Sequence, residues 1–401
     1  MAAYDVIIAG GGPAGLQFAR ELGHRSTYSV VLLERNAHLS DNDKSTGGTF
    51  HQVVQGYDIP ESVILDTTSS VVFEGPEASE RLPIPNYVLD FPAFLEFLGD
   101  DAEEQDVTIF TETRVTEPIL EDGAVVGVRA AQNGSVKEFY ADIVVDATGP
   151  AGVLTTQLGM WDSEAAQRGI GMEFQARGAF DCDSMLFRFD HDFAPGGYAW
   201  VFPAGDEVFK TGVCWVNDFY EQHRPEDKEK IDSYVRHWAE ADSRWEVDEI
   251  HAVHAGVVKS DNSINRRAGD GIVAIGDAVS SLNPLFGEGI RPGMESAEMA
   301  ADIVLEALYE GDTSRGTLSA YEERWNRERG SKWKIQRIVG ELLYDFDADQ
   351  QNAFVRNVGR LSDEQARRLQ RYDLTIRDLM SLYPFRPKDL LKAPALLRHV
   401  Q

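Results

Sequence analysis

The sequence predicts an α/β fold, in which a Rossmann-type parallel sheet carries an inserted, mainly antiparallel β domain and is followed by a helical C-terminal region. Three observations predict this fold. The N-terminus reads as strand, glycine-rich turn, helix and strand; short strand-like runs fill residues 170–258; and from about Gly316 the chain is largely helical and rich in Arg. Alternating strands and helices favour a parallel sheet, whereas clustered strands favour an antiparallel one.

The first strand–helix–strand unit comes from three consecutive segments. Tyr4–Ala9 is a short β-branched run, Ala14–Leu22 has helical character, and Tyr28–Leu33 is a second apolar run. Runs this apolar are typical of strands that are buried on both faces of a parallel sheet. We expect the same sheet to include Ala141–Val145 and residues 271–277.

The glycine-rich turn predicts a dinucleotide site. Gly10, Gly12 and Gly15 fill a G-x-G-x-x-G spacing between the first strand and the first helix. In this motif the first glycine permits a tight turn, the second leaves room for a pyrophosphate, and the third lets the helix approach the strand. The pyrophosphate is expected at the helix N-terminus, beside Ala14, where free N–H groups favour an anion.

The end of the second strand supplies an acidic residue at the position that this motif requires. Glu34 follows the run Tyr28–Leu33, and Arg35 comes next. A carboxylate at this point accepts hydrogen bonds from a ribose 2′-hydroxyl and repels a 2′-phosphate. We therefore place Glu34 and Arg35 with the cofactor-binding residues.

A second motif favours FAD over NAD as the dinucleotide. Asp277 ends a β-run, and Gly287, Gly289 and Ile290 precede the helix that extends to about Tyr309. An Asp at such a strand end can accept hydrogen bonds from the ribityl chain. The small residues bring the next helix N-terminus to the flavin, where negative charge develops on reduction.

These motifs divide the chain into three predicted parts. The parallel sheet is split by the insertion, so its domain is discontinuous. The parts are an FAD-binding domain at 1–65, 100–150 and 265–310, a substrate domain at 66–99 and 151–264, and a helical C-terminal region at 311–401.

The chain resembles the p-hydroxybenzoate-hydroxylase-like flavoproteins and, within them, the geranylgeranyl reductases. The sharpest element is Tyr198-Ala199-Trp200-Val201-Phe202-Pro203 followed, after eight residues, by Gly212, which matches the signature Y-x-W-x-F-P-x8-G. The resemblance implies that Tyr198, Trp200, Phe202 and Pro203 line a cavity for a prenyl chain. Alternation along a strand places the three rings on one face, where an aromatic wall can hold a flat polyene.

The resemblance also assigns a glycine-rich loop and an adenine contact. Lys44, Gly47 and Gly48 occupy the place of the family's K-P-C-G-x-G loop, but Thr46 stands where the family has Cys. Thr46 can donate a hydrogen bond but cannot become a thiolate. Val115 matches the position whose backbone meets adenine in relatives.

The function implied by the resemblance is FAD-dependent reduction of C=C bonds in geranylgeranyl chains, and the acidic composition favours those of archaeal ether lipids. Hydride and proton must reach the two alkene carbons in a dry, aligned site. Thr46, Tyr198 and a flavin-bound water are candidate proton donors. The electron donor stays open between NAD(P)H, ferredoxin and another carrier.

Three alternatives to this function remain at the level of sequence. An FAD-dependent monooxygenase or halogenase would consume O2, a menaquinone side-chain reductase would differ only in substrate, and an electron-transfer flavoprotein would pass electrons to a partner. The two cysteines, Cys182 and Cys214, cannot bind an iron–sulfur cluster of their own, which disfavours a self-contained relay.

Composition bounds location and partners. Lys and Arg number 38 against 67 Asp and Glu, a net charge of −29, which repels nucleic acid and anionic membranes and is typical of halophilic proteins. We expect two reduced thiols, no metal site and no signal peptide, and hence a cytoplasmic protein. Any peripheral membrane contact must be apolar or assisted by salt.

Overall fold

A computed structural model describes residues 3–161, 166–205, 207–226, 230–260 and 266–384 of the chain. The strands are β1 Ala3–Ala9, β2 Val30–Leu33, β3 Gly48–Phe50, β4 Ile64–Thr68, β5 Val71–Glu74, β6 Ser79–Leu82, β7 Asn86–Leu89, β8 Thr108–Phe110, β9 Thr113–Glu121, β10 Ala124–Gln132, β11 Ser135–Asp146, β12 Gln167–Arg177, β13 Met185–Arg188, β14 Gly197–Pro203, β15 Val208–Val216, β16 Glu249–Ser260, β17 Ala268–Gly269 and β18 Ile272–Ala274. The helices are α1 Pro13–Arg25, α2 His51–Gly56, α3 Phe91–Glu104, α4 Val153–Gln157, α5 Asn217–His223, α6 Ile231–Glu240, α7 Ile290–Glu310, α8 Arg315–Leu318, α9 Ala320–Trp325, α10 Ser331–Tyr344, α11 Ala348–Val358, α12 Asp363–Gln370 and α13 Ile376–Leu382.

The first sheet has the predicted parallel centre. Its strands run in the order β17-β18-β11-β1-β2-β8, and β1 pairs in parallel with both β11 and β2. Val6 and Ile8 pack into a core shared with α1, α3 and α7, whereas Ile7 packs into a second core on the other face. The β-branched run therefore forms a strand because both of its faces are buried. Strands β9 and β10 extend the long β11 as an antiparallel ribbon.

The second sheet is mainly antiparallel and has the order β16-β12-β15-β14-β13-β5-β6. The alternation along β14 separates its side chains between two cores. Tyr198, Trp200 and Phe202 lie in one core, and Ala199 and Val201 lie in the other. A smaller sheet, β3-β7-β4, contributes Leu89 to the core of the parallel sheet and Val88 to a core of the second sheet.

The predicted domain limits stay a prediction, and the packing bears on two of them. Strands β5 and β6 join the second sheet, in keeping with a substrate domain that begins near residue 66. Helix α3 instead packs against α1, and Phe94 and Leu98 are fully buried in the core of the parallel sheet. This contact favours counting α3 with the first sheet. The limit between 264 and 265 lies outside the described residues.

The C-terminal helices cover both sheets. Trp325 and Trp333 join the core of the parallel sheet, whereas Phe354 and Val355 of α11 pack beneath β5 and β6. These tryptophans therefore serve core packing. Among the described helices, none has the length and apolar character that crossing a bilayer requires. The predicted combination of a Rossmann-type sheet, an inserted antiparallel sheet and a helical C-terminal region is confirmed.

Candidate active site

One cavity of about 850 Å³ lies between the two large sheets. It opens at the carboxyl ends of β1, β2, β11 and β18, and β12, β14 and β16 form its opposite wall. Ligands of open α/β sheets bind at this end of the strands. The cavity brings together most of the site residues predicted from the sequence.

The turn between β1 and α1 is shaped as a cradle. A Cβ atom on Gly10 would lie 2.4 Å from the carbonyl oxygen of Ala147, and one on Gly15 would lie 2.0 Å from that of Gly10, so neither position has room for a side chain. A Cβ atom on Gly12 would meet no described atom within 4 Å and would enter the cavity. Ala14 lines the cavity, whereas Gly15 lies beneath the turn.

Helix α1 begins at this cradle with its first N–H groups available to a ligand. Gly12 is the N-cap residue, and no described side chain caps the helix. No acidic residue lies in its first turn. Free N–H groups and the helix dipole together favour an anion such as a pyrophosphate.

Glu34 closes the cradle at the end of β2. Its carboxylate accepts hydrogen bonds from the backbone N–H groups of Gly11 and Asn36, each at 2.8 Å, and this fixes the side chain at the cavity wall. Arg35 is exposed at the rim, and Val115 lines the cavity from β9.

The β18–α7 connection contributes a second set of residues that can bind the cofactor. The Oδ1 atom of Asp277 is buried and has no hydrogen-bond partner among the described residues. Burial raises the pKa of this carboxyl to about 6. Gly287, with φ of +68°, and Gly289, the N-cap of α7, keep the approach to the helix free of side chains, and Ile290 lines the cavity at the first helical position.

The aromatic residues of β14 form the wall opposite the cradle. Tyr198, Trp200 and Phe202 all line the cavity, and the ring of Phe187 lies 5.6 Å from that of Tyr198 and 5.2 Å from that of Phe202. Phe286 extends the wall toward α7, with its ring 6.1 Å from that of Phe187. Pro203 ends the strand and does not line the cavity.

The predicted loop crosses between the cradle and the wall. Lys44 is exposed at the rim, Thr46 lines the cavity, and a Cβ atom on Gly48 would lie 2.8 Å from the Phe202 ring. Gly47 has φ of +72° and abuts Leu89 behind the cavity. The buried Lys210 donates a hydrogen bond of 3.0 Å to the Thr46 carbonyl oxygen, which ties the loop to the second sheet.

Tyr198 is poorly suited to donate a proton. Its hydroxyl donates a hydrogen bond to the carbonyl oxygen of Phe286. Burial raises the pKa of this phenol well above its usual value, so the proton is held tightly. The geometry therefore assigns the Tyr198 side chain to shaping the wall.

Two charged cavity residues were not predicted from the sequence. Glu173 on β12 accepts a hydrogen bond of 3.0 Å from Nε1 of Trp200, and its other oxygen lies 3.5 Å from Nδ1 of His254 on β16. Nε2 of His254 lies 3.2 Å from Asp43, in the loop before Lys44. The carboxylates of Asp43 and Glu173 beside the imidazole raise the pKa of His254 to about 9. Neither Glu173 nor His254 belongs to a sequence motif, and only the pairing of their strands brings them together.

Comparisons with known proteins agree with this architecture. Residues 5–169 match the family described as FAD dependent oxidoreductase, and residues 164–257 match the geranylgeranyl reductase catalytic domain. Over 377 residues, covering 90% of this chain and 91% of the relative, the chain is 38% identical to the digeranylgeranylglycerophospholipid reductase of Haloferax volcanii. The chain belongs to the geranylgeranyl reductase family. Its predicted cofactor, FAD, and its class, an FAD-dependent oxidoreductase, are thereby confirmed.

Relatives and solved structures of lower identity match over a similar length of the chain. A digeranylgeranylglycerophospholipid reductase of Methanopyrus kandleri is 26% identical over 89% of this chain and 91% of its own. A geranylgeranyl bacteriochlorophyll reductase-like protein of Thermoplasma acidophilum superposes with a TM-score of 0.86 at 19% identity, over 99% of this chain and 100% of that one. A flavin-dependent brominase superposes with a TM-score of 0.73 at 19% identity, which shows a shared fold alone.

The residues present fit FAD. The open space beside Gly12 and the uncapped start of α1 suit the pyrophosphate, and the buried, unpartnered oxygen of Asp277 suits the ribityl hydroxyls. The start of α7 at Gly289 then faces the same cavity as the aromatic wall. The individual assignments of cofactor-binding residues stay predictions.

Proposed function

We propose that this reductase saturates C=C bonds of geranylgeranyl chains in archaeal ether lipids. The proposal rests on one continuous cavity. This cavity runs from the dinucleotide cradle to a wall built from Tyr198, Trp200, Phe202, Phe187 and Phe286. A long, flat, apolar polyene fits such a wall, because the rings offer large apolar faces and the polar groups of Tyr198 and Trp200 are hydrogen-bonded to the protein.

The reaction needs a hydride, a proton and a dry site. Reduced FAD supplies the hydride when it is bound. The rings of β14 hold the alkene chain and exclude water, and Phe286 connects this wall to the α7 N-terminus. Such positioning can lower the activation barrier of a reaction by several kcal/mol, and by about 7–11 kcal/mol at most.

The names of the relatives support the substrate class, and the charge supports the setting. The relatives of Haloferax volcanii and Methanopyrus kandleri are named as reductases of digeranylgeranylglycerophospholipid. A net charge of −29 suits a concentrated salt cytoplasm, where carboxylates keep a protein surface hydrated.

Peripheral contact with the lipid bilayer is part of the proposal. Val253 and Val257 are 54% and 47% exposed on the edge strand β16, and Val257 also lines the cavity. Apolar side chains at a cavity rim can enter the bilayer surface and let a prenyl chain pass without crossing water. This contact is apolar, in keeping with the acidic composition.

An anaerobic single turnover tests the function. The holoenzyme is reduced with dithionite, which makes the test independent of the physiological donor, and is mixed with a digeranylgeranylglyceryl lipid without O2. We expect the flavin absorbance to return and the lipid to gain two hydrogens per double bond in its mass spectrum. Flavin that reoxidises only when O2 is admitted would favour a monooxygenase or halogenase, and turnover with menaquinone alone would favour a side-chain reductase.

The same preparation identifies the electron donor. NADH, NADPH and reduced ferredoxin are each added to the oxidised holoenzyme without O2, and the bleaching of the flavin is followed. The donor that bleaches the flavin fastest and supports repeated lipid turnover is the candidate for the cell.

A further inference from the structure

A row of side chains crosses four strands of the second sheet. Trp200 on β14 pairs with Gly212 on β15, Gly212 pairs with Glu173 on β12, and Glu173 pairs with His254 on β16. A Cβ atom on Gly212 would lie 2.3 Å from the indole of Trp200. The indole therefore lies across the glycine, and this position lets its N–H reach Glu173.

The row runs from the substrate wall to the solvent. The side chains of Glu173, His254 and Asp43 are 4%, 11% and 34% exposed, in that order. Glu173 and His254 line the cavity, whereas Asp43 lies at the outer end beside the exposed Lys44. A proton entering at Asp43 has a path of two contacts to the cavity.

The contact between Glu173 and His254 is longer than a hydrogen bond and leaves both atoms able to give or take a proton. Oε1 of Glu173 and Nδ1 of His254 are buried, 3.5 Å apart, and neither has a hydrogen-bond partner among the described residues. Buried polar atoms without partners are rare in folded proteins and need an explanation. Catalytic hydrogen bonds are often long before substrate binds and shorten in the complex.

We propose that Asp43, His254 and Glu173 form a proton relay from solvent to the prenyl double bond, with Glu173 as the final donor. The proposal rests on the proposed reductase function. For each bond saturated, the C=C π bond is lost and two C–H bonds form. One new bond takes the hydride that reduced FAD would supply, and the other takes a proton that His254 passes to Glu173 and that Glu173 delivers to the carbon. His254 then regains a proton from solvent through Asp43.

The charges around His254 keep its imidazole protonated at neutral pH. Asp43 and Glu173 face the imidazole from either side, and Lys210 acts on Asp43 from β15. With a pKa near 9, His254 carries its proton at neutral pH. The three relay side chains are arranged as a line, and no group of such residues in the described ranges could hold a metal ion.

Other groups at the cavity are less suited to the role. The Tyr198 hydroxyl is bonded to the Phe286 carbonyl oxygen, and the Lys210 ammonium is bonded to that of Thr46. Glu288 also lines the cavity, and burial raises its pKa to about 7, but its ionic partner at 3.7 Å is Arg291, whose side chain is only 3% exposed, so this pair does not lead outward as His254 and Asp43 do.

The test measures single-turnover saturation of the lipid by dithionite-reduced holoenzymes without O2. The variants are Glu173→Gln and His254→Gln, and the matched control is His251→Gln, a histidine exposed on the same strand. General acid catalysis is worth about 10²–10⁴-fold. We expect losses of about 100-fold or more in the two relay variants and wild-type rates in the control.

The pH dependence separates a relay from a structural role. The wild-type rate should fall as pH rises through about 9, where His254 loses its proton. Asp43→Asn removes the first cause of the raised pKa of His254 without entering the core, so this fall should move to lower pH. FAD absorbance and FAD affinity are measured in every variant, because a folding defect would lower both.

The outcomes distinguish a failure of the relay proposal from a failure of the proposed reductase function. Wild-type protein that leaves the lipid unsaturated would overturn the proposed function. Wild-type protein that saturates the lipid, with His254→Gln and Glu173→Gln equally fast and with unchanged pH profiles, would overturn the relay alone. If the glutamine variants do not bind FAD, the pH profile of Asp43→Asn tests the relay instead. A single-turnover rate that falls at the same pH in Asp43→Asn as in the wild type would overturn the relay.

Discussion

The carboxylate of Asp277 illustrates a residue whose role in binding opposes its role in stability. Burial raises its pKa to about 6, from a reference value of 3.8. Without cofactor, the folded protein therefore holds this proton more tightly than the unfolded chain does. Its contribution to stability is complete below about pH 3.8 and is lost as pH rises through about 6.

Asp277→Asn should separate the two roles. At pH 8 the apoprotein should unfold at the same or a higher temperature, because an uncompensated buried charge is gone. FAD affinity should fall by about 10–150-fold, since a hydrogen bond to a charged group contributes about 1.5–3 kcal/mol. Thermal unfolding and quenching of FAD fluorescence measure the two effects. Asp142→Asn, an exposed carboxylate on β11, is the control; unchanged FAD affinity in Asp277→Asn would contradict the assignment.

Trp200 and Tyr198 are neighbouring wall residues at which replacement by Phe removes a polar hydrogen, together with the five-membered ring in the case of Trp200. Trp200→Phe leaves Oε2 of Glu173 without its donor, and an unsatisfied buried group costs about 1–3 kcal/mol. We expect lipid saturation to slow by about tenfold or more. Tyr198→Phe keeps the ring and should turn over at close to the wild-type rate. Equal losses in both variants, measured as single-turnover rates, would show that ring packing alone matters.

The sequence predicted part of this residue-scale picture. Trp200 was found because its neighbours form a motif in one stretch of chain. Glu173 and His254 were missed because they meet only through the antiparallel pairing of β12 with β16. Register between strands so far apart depends on the whole sheet, and local pattern does not contain it.

At the scale of elements, the β1–α1 turn contains two glycines in different surroundings: Gly15 is crowded by backbone atoms, whereas Gly12 faces open space. Gly15→Ala places a methyl group 2.0 Å from a backbone oxygen, so we expect a destabilisation of about 1–3 kcal/mol. Gly12→Ala meets no described atom, and its φ of −87° suits alanine, so the protein should stay folded while FAD affinity falls. Denaturant unfolding and FAD titration check both variants. An equally stable Gly15→Ala protein would contradict the packing.

The elements themselves were predicted unevenly. Strand β14 and the first βαβ unit follow from alternation and from β-branched runs, and the structure has both. Strand β9 was missed. It carries charged residues such as Arg114 and Glu117 and contains Pro118, so it lacks an apolar pattern, and it is held as a strand by its ladder with β10. Tertiary context outweighs propensity in such strands.

At the scale of the whole molecule, the surface charge sets a dependence on salt. A net charge of −29 opposes the compact state through self-repulsion, which salt screens as the Debye length falls from about 10 Å at 0.1 M to about 3 Å at 1 M. We expect the melting temperature to rise between 0.1 M and 2 M KCl. A melting temperature that is flat or that falls over this range would contradict the account.

The fold class was predictable because a glycine turn between buried strands occurs in few architectures. The cavity was not, because it forms where two sheets, a connecting loop and the start of α7 come together from distant parts of the chain. Its aromatic wall includes Phe187 and Phe286, which lie outside the signature and gain their place only through packing.

A crystal structure of the oxidised holoenzyme with a geranylgeranyl lipid tests most directly the central claim that one cavity serves both ligands. The flavin ring should lie between the Gly289 end of α7 and the rings of β14, with a prenyl double bond about 3–3.5 Å from the flavin. A chain bound outside this cavity, or a flavin separated from the chain by the wall of Tyr198 and Trp200, would contradict the account.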